Sequence, residues 1–188
     1  MLFSTVLAGL AACGTTDARE TDILPATKWD HRAEAPVWTE ASIDALRSYG
    51  QPLVSLVPAD AETWCPGYDT ASATQREAFW VGLLSALAEH ESTWNPRAVG
   101  GGGQWFGLVQ ISPATARGYG CDAGSAEALK DGTKNLSCAI RIWSRTVTRD
   151  GVIAAGGGGV AADWGPFHQS SKRTAMMEWT RAQPYCRG

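Results

Sequence analysis

Between Ser72 and Asn95-Pro96 the chain carries its longest helical pattern, and no stretch alternates apolar and polar residues as a half-buried strand must. Ser72 or Thr74 can cap the start of this helix, and the proline at 96 ends it. Phe79, Leu83, Leu84 and Leu87 recur at helical spacing and form one apolar stripe. Shorter helices are predicted over about 39–49, 113–118, 125–131, 133–148 and 170–182, the second opened by Ser112-Pro113 with proline at the first helical position. The pattern predicts a mainly α domain.

Composition narrows what such a domain can do. Only 19% of the 188 residues are charged and the net charge is −3, against the basic surplus of nucleic-acid binders. No apolar run reaches the roughly 18 residues that span a bilayer. Nine tryptophans are more rigid aromatic surface than a core of this size needs. Gly100–Gly103 and Gly156–Gly159 are glycine runs that predict mobile loops, and neither has the layout of a phosphate loop.

The chain opens with an address. Residues 2–12 are apolar or small and uncharged, as in a secretory signal, and Leu10-Ala11-Ala12-Cys13 resembles the lipobox of bacterial lipoproteins. That resemblance implies cleavage before Cys13, lipidation of its thiol, a membrane contact through the lipid alone, and a lipid-anchored place in the periplasm. Residues 14–38 lack periodicity and read as a tether, so the expected division is a signal at 1–12, a tether and extension at 13–62, and the domain at 63–188. Cys65, Cys121, Cys138 and Cys186 remain, and four cysteines in an exported chain allow three pairings. The favoured one joins Cys121 to Cys138 across a local loop and Cys65 to Cys186 across the whole domain. No cysteine or histidine spacing fits a metal site, and no cofactor is expected.

One carboxylate stands out on the long helix. At about 100° per residue, with Phe79 at zero, the apolar stripe centres near 65°, Glu91 falls at about 120° and Glu89 near 280°. Glu91 is therefore expected on the edge of the core and Glu89 in water. His90, near 20°, is expected as a packed, hydrogen-bonded histidine. A carboxyl held against apolar surface resists ionisation, and a carboxyl that stays protonated near neutral pH is a general acid. The same placement also suits a buried hydrogen bond.

The residues around Glu91 carry more information. Glu91-Ser92-Thr93-Trp94-Asn95-Pro96 resembles the E-S-x-[FW]-N-P motif of soluble lytic transglycosylases. Gly107-Leu108-Val109-Gln110-Ile111-Ser112-Pro113 resembles that family's G-L-M-Q-I-x-P, with Val109 in place of methionine. Asn135-Leu136 and Ala139-Ile140 resemble a third conserved helix. The resemblance spans about residues 75–170. It implies a lysozyme-like helical fold with a glycan cleft, cleaving the MurNAc–GlcNAc β-1,4 bond of peptidoglycan strands. Carried over, Glu91 is the catalytic acid and base, Ser92 orients it, and Gln110 with the backbone of Gly107 and Leu108 lines the cleft.

The family's A-Y-N-x-G-P has a weaker counterpart in Ala161-Ala162-Asp163-Trp164-Gly165-Pro166, where Ala162 replaces the tyrosine and Asp163 the asparagine. Tyr119 is a candidate for the missing hydroxyl. Asp163 is a substrate contact, or else the second carboxylate of a hydrolysing muramidase, which needs the pair roughly 6.5–9.5 Å apart. A non-catalytic peptidoglycan-binding lipoprotein is a third reading. Of the tryptophans beside the motifs, Trp105 borders a glycine run and is expected to be exposed as a sugar platform; Trp80 and Trp143 are expected in the core.

Overall fold

The computed structural model describes residues 24–187; the signal segment, Cys13 and the first part of the expected tether lie outside these residues. The domain is mainly helical, as the periodicity requires, and is built around α4 (Ala73–Ser92). Ser72 caps α4, its hydroxyl accepting from the Gln75 N–H while the Gln75 side chain accepts from the Ser72 N–H. The other end turns out through Thr93 and Trp94, both at positive φ, ahead of Asn95-Pro96. Every residue from Glu77 to Ala88 is buried, so the stripe read from the sequence is one side of a helix covered all round.

Helices α1 (Ala35–Ser48) and α2 (Gln51–Ser55) lie on α4 and on α7 (Gly132–Asp150). Helix α3 (Ala61–Trp64) packs on α8 (Ser170–Arg181), which also lies on α4. Two short helices, α5 (Pro113–Gly118) and α6 (Ala126–Leu129), follow the only strands among the described residues: β1 (Val99–Gly100) and β2 (Trp105–Phe106). These pair antiparallel, Val99 with Phe106 and Gly100 with Trp105. Two residues per strand is too short for alternation to register in a sequence.

Three expectations need correction. Residues 24–38 are not a tether. Trp29 and Trp38 are buried, edge to face at 5.8 Å, and the Trp29 indole donates to Thr39 Oγ1 at 2.9 Å. The Lys28 N–H donates to Ser85 Oγ at 2.9 Å on α4. Residues 24–34 lack helical period because they run as coil and turns, residues 35–38 are already the first turn of α1, and Trp29 and Trp38 hold the segment on the core. The second correction concerns the tryptophans: eight of the nine lie in or against the core, so they are mostly the core itself. Trp80 and Trp143 are fully buried as expected, and Tyr68, Trp80, Trp143 and Trp164 follow one another at 5.8–6.3 Å between ring centres.

The third correction is to the second glycine run, which is fastened at both ends. Asp60 accepts from the N–H groups of Ile153, Ala154 and Ala155, and Asp150 accepts from Gly159 N–H at 2.7 Å. The disulfides fall as favoured, Cys65–Cys186 with Cα atoms 4.7 Å apart and Cys121–Cys138 at 5.3 Å.

Candidate active site

Glu91 sits on the last turn of α4, half-buried, and none of the described residues hydrogen-bonds its carboxyl or pairs with it as a counter-ion. Loss of water pushes its pKa up to about 7, with the more distant charge of Lys172 pulling the other way. Glu89, two residues earlier, is not in open water as the wheel predicted. It is half-buried and forms an ion pair with Lys28, a residue of the supposed tether. A counter-ion, rather than helix phase alone, separates the two glutamates. His90 is partly buried with its pKa lowered by desolvation, but the expected hydrogen bond is missing at Nε2 among the described residues.

The second motif is held against the end of α4 by side chains reaching its backbone. Ser92 Oγ donates to Leu108 O at 2.7 Å and to Ala88 O at 3.2 Å. Its hydroxyl thus fastens the loop to the helix, where the resemblance implied that it orients Glu91. Asn135, fully buried on α7, accepts from Val109 N–H at 2.9 Å and donates to Phe106 O at 3.0 Å. The Trp164 indole donates to Val109 O at 2.8 Å. Gly107 has φ +85°, and a Cβ there would fall within 3 Å of Leu129 O and the Asn135 amide. Glycine is required at 107 by conformation and space together.

Leu108 is fully buried, so its side chain is core, and it serves the site only through its carbonyl. Gln110, at φ +52°, turns its amide back to donate to Gly107 O at 2.9 Å and Ala98 O at 3.3 Å. Its face and that of Trp105 wall a pocket of about 70 Å³ together with Ser112, Thr115, Asp163 and Trp164. Of the three tryptophans beside the motifs, Trp164 is buried, Trp94 is partly buried with its N–H on Ser85 O, and Trp105 is 46% exposed.

Asp163 and Tyr119 lie close enough for the charge of one to act on the other. Burial is the main cause raising the Asp163 pKa, with Arg149 lowering it and Asp150 raising it. Tyr119 is raised by burial and then by the charge of Asp163, and the Arg145 guanidinium lies 5.7 Å from its ring centre. No hydrogen bond joins the Tyr119 hydroxyl to Glu91 among the described residues. Sequence reasoning gave no role to Lys172, Lys28 or the Asn135 side chain. The asparagine lay inside a recognised motif, but the two lysines reach the site from segments with no motif at all. A larger cavity, about 590 Å³ between Ile43, Thr74, Ala78 and Tyr185, lies at the other end of α4 and contains none of the expected site residues.

A mainly helical domain with an unpaired, desolvated glutamate at the end of its central helix, beside a loop fastened to that helix end by Ser92, fits the lysozyme-like class of glycan-cleaving domains. The comparisons narrow the class. The transglycosylase SLT domain family matches residues 70–157, which include Glu91, the second motif and Asn135 but stop short of Asp163. The chain is also similar to solved structures of DslA. A glutamate-to-glutamine variant of that protein aligns with TM-score 0.80 at 30% identity, covering 88% of this chain and all of the other. The wild-type form gives 0.79 at 30%, and a second glutamate-to-glutamine variant 0.79 at 29%, with the same coverage. No curated protein matches the sequence. The chain belongs to the transglycosylase SLT family, whose members cleave glycosidic bonds of peptidoglycan.

Proposed function

We propose that this protein is a peptidoglycan lytic transglycosylase that cuts the MurNAc–GlcNAc β-1,4 bond with Glu91 as its one catalytic group. The observation that carries the reading is the raised pKa of Glu91, about 7, in a carboxyl with no counter-ion in contact. A carboxyl titrating there still carries its proton in part of the molecules near neutral pH, and that proton can go to the leaving glycosidic oxygen. The resulting carboxylate takes the proton from the C6 hydroxyl of the MurNAc residue as that oxygen closes on C1, giving a 1,6-anhydro end. Water takes no part and no second carboxylate is needed. The match to the transglycosylase SLT domain supports this over a hydrolysing carboxylate pair.

In this reading Ser92, Gly107, Leu108 and Asn135 fix the cleft wall, while Gln110, Trp105, Tyr119 and Asp163 meet the glycan strand. The signal at 1–12 and lipidation of Cys13 would hold the domain in the cell envelope beside its substrate, and the two disulfides suit that oxidising compartment. Among the described residues no helix is long and apolar enough to cross a membrane. Mass spectrometry of muropeptides released from purified peptidoglycan tests the reaction: anhydro ends are expected, and reducing ends would transfer the protein to the muramidases. Cys13→Ser is expected to release the protein from membrane fractions; retention there would remove the anchor from the account.

A further inference from the structure

The four glycines at the tip of the β1–β2 hairpin have a pattern that a flexible loop would not need. Gly101, Gly102 and Gly103 all have positive φ, at +54°, +64° and +93°. The tip is closed by Gly103 N–H and Gln104 N–H, both on Gly100 O at 3.0 Å. A Cβ on Gly102 or Gly103 would meet nothing within 4 Å. At Gly101 it would collide with the indole of Trp105, three ring carbons lying within 3 Å. At Gly100 it would collide with the amide oxygen of Gln110. Two adjacent glycines therefore make room for two different side chains, and both of those side chains wall the pocket beside Asp163.

We infer that the glycine tip is a mould for the substrate cleft, in which Gly101 lets the Trp105 indole lie down on the hairpin and offer its outer face to a pyranose ring of the glycan strand. Gly101 is a positioning residue in this scheme and Trp105 the binding residue. An indole standing free at 46% exposure would lose rotamer freedom on binding a sugar; one already laid against backbone has lost it in folding. The apolar face of a sugar ring stacks on such a surface without needing a charged partner. The inference rests on the glycan-cleaving reading above and names a subsite for it.

The test uses the full chain carrying Glu91→Gln, so that sugar binds without turnover, with chitotetraose as probe and calorimetry as readout. Gly101→Ala is expected to weaken binding about tenfold, as Trp105→Ala does, in the range of one aromatic stacking contact. Gly102→Ala adds the same methyl at the same sign of φ but in open space, and is expected to stay within about twofold. Gly101→Ala combined with Trp105→Ala should bind no more weakly than Trp105→Ala alone. Binding by Gly101→Ala that equals that of Gly102→Ala, losses that add, or a parent that does not bind chitotetraose overturns the inference. The pose is read without sugar as well. The Trp105 indole N–H resonance, assigned by its disappearance in Trp105→Phe, should move in Gly101→Ala and stay in Gly102→Ala; an unmoved resonance overturns the mould. Failure of the underlying reading has its own signature, intact peptidoglycan after treatment with the wild-type protein while the indole resonance still responds.

Discussion

Glu91 and Glu89 differ by two residues and share a helix end, yet their chemistry diverges because one has Lys28 against it and the other has lost water with no partner. Glu91→Gln is expected to abolish cleavage of peptidoglycan with the fold intact, whereas Glu89→Gln should keep most activity and cost about 1 kcal/mol or less, the usual worth of a partly exposed ion pair. The pH dependence follows from the same shift. Activity that needs protonated Glu91 should fall as pH rises through about 7. Stability moves in the same direction. The folded pKa is raised from the ordinary 4.5 to about 7, so the group's contribution is fully present below 4.5 and is lost as pH rises through 7. Glu91→Gln should thus be more stable than wild type at pH 8 by about 1–2 kcal/mol, after discounting for solvent, with the gap closing near pH 4. Denaturant melts of both proteins at the two pH values check this. Asp163→Asn should retain activity within about tenfold, roughly 1.4 kcal/mol of transition-state stabilisation, because it keeps shape and a reaction run by Glu91 alone needs no second carboxylate.

At the scale of elements, the site is a junction of one helix end and one loop, joined through backbone groups. Ser92, Asn135 and Trp164 each spend a side-chain hydrogen bond on the carbonyls or N–H groups of residues 106–109. Removing Asn135 leaves the Val109 N–H buried without a partner, at a cost of about 1–3 kcal/mol, while the Phe106 carbonyl keeps the Ile111 N–H at 3.0 Å. Asn135→Ala is therefore expected to lower the melting temperature sharply and to reduce kcat more than KM, since the loop it holds is fastened to the turn that carries Glu91. An unchanged melting temperature would mean that water or a shifted backbone replaces the amide. The motifs were legible in the sequence because such loops demand particular residues: glycine at 107 for its φ, and proline at 113 to open α5. The hairpin was not legible, since two-residue strands leave no periodicity to read.

The whole molecule is closed by its longest covalent link. Cys65–Cys186 spans 121 residues and ties α3 to the C-terminal turn, while Cys121–Cys138 spans 17 and braces the approach to α7. In the chain-entropy account the two are worth roughly 5 and roughly 3 kcal/mol. Replacing the Cys65–Cys186 pair with serines should therefore cost more stability than replacing the Cys121–Cys138 pair. Native protein should show no free thiol among these four. Equal losses in the two double variants would show that residual structure in the unfolded chain already closes the longer loop.

Local rules written in the sequence pointed to α4 with its Ser72 cap, to α5 through α8, to one favoured cysteine pairing of three, and to Glu91 as the residue to watch, but not to α2, α3 or the first turn of α1. Each depends on neighbours within a few turns of chain or on pairings few enough to enumerate. The placement of residues 24–38 came only from the tertiary structure, because aperiodic chain gives no sign of whether its tryptophans will find a core. The same holds for the charge environment of the glutamates. Lys28 lies 61 residues before Glu89, and Lys172 comes to Glu91 from α8, so neither distance can be read along the chain. Helix phase gave direction; desolvation and counter-ions are properties of the assembled volume, and they decide which carboxyl keeps its proton.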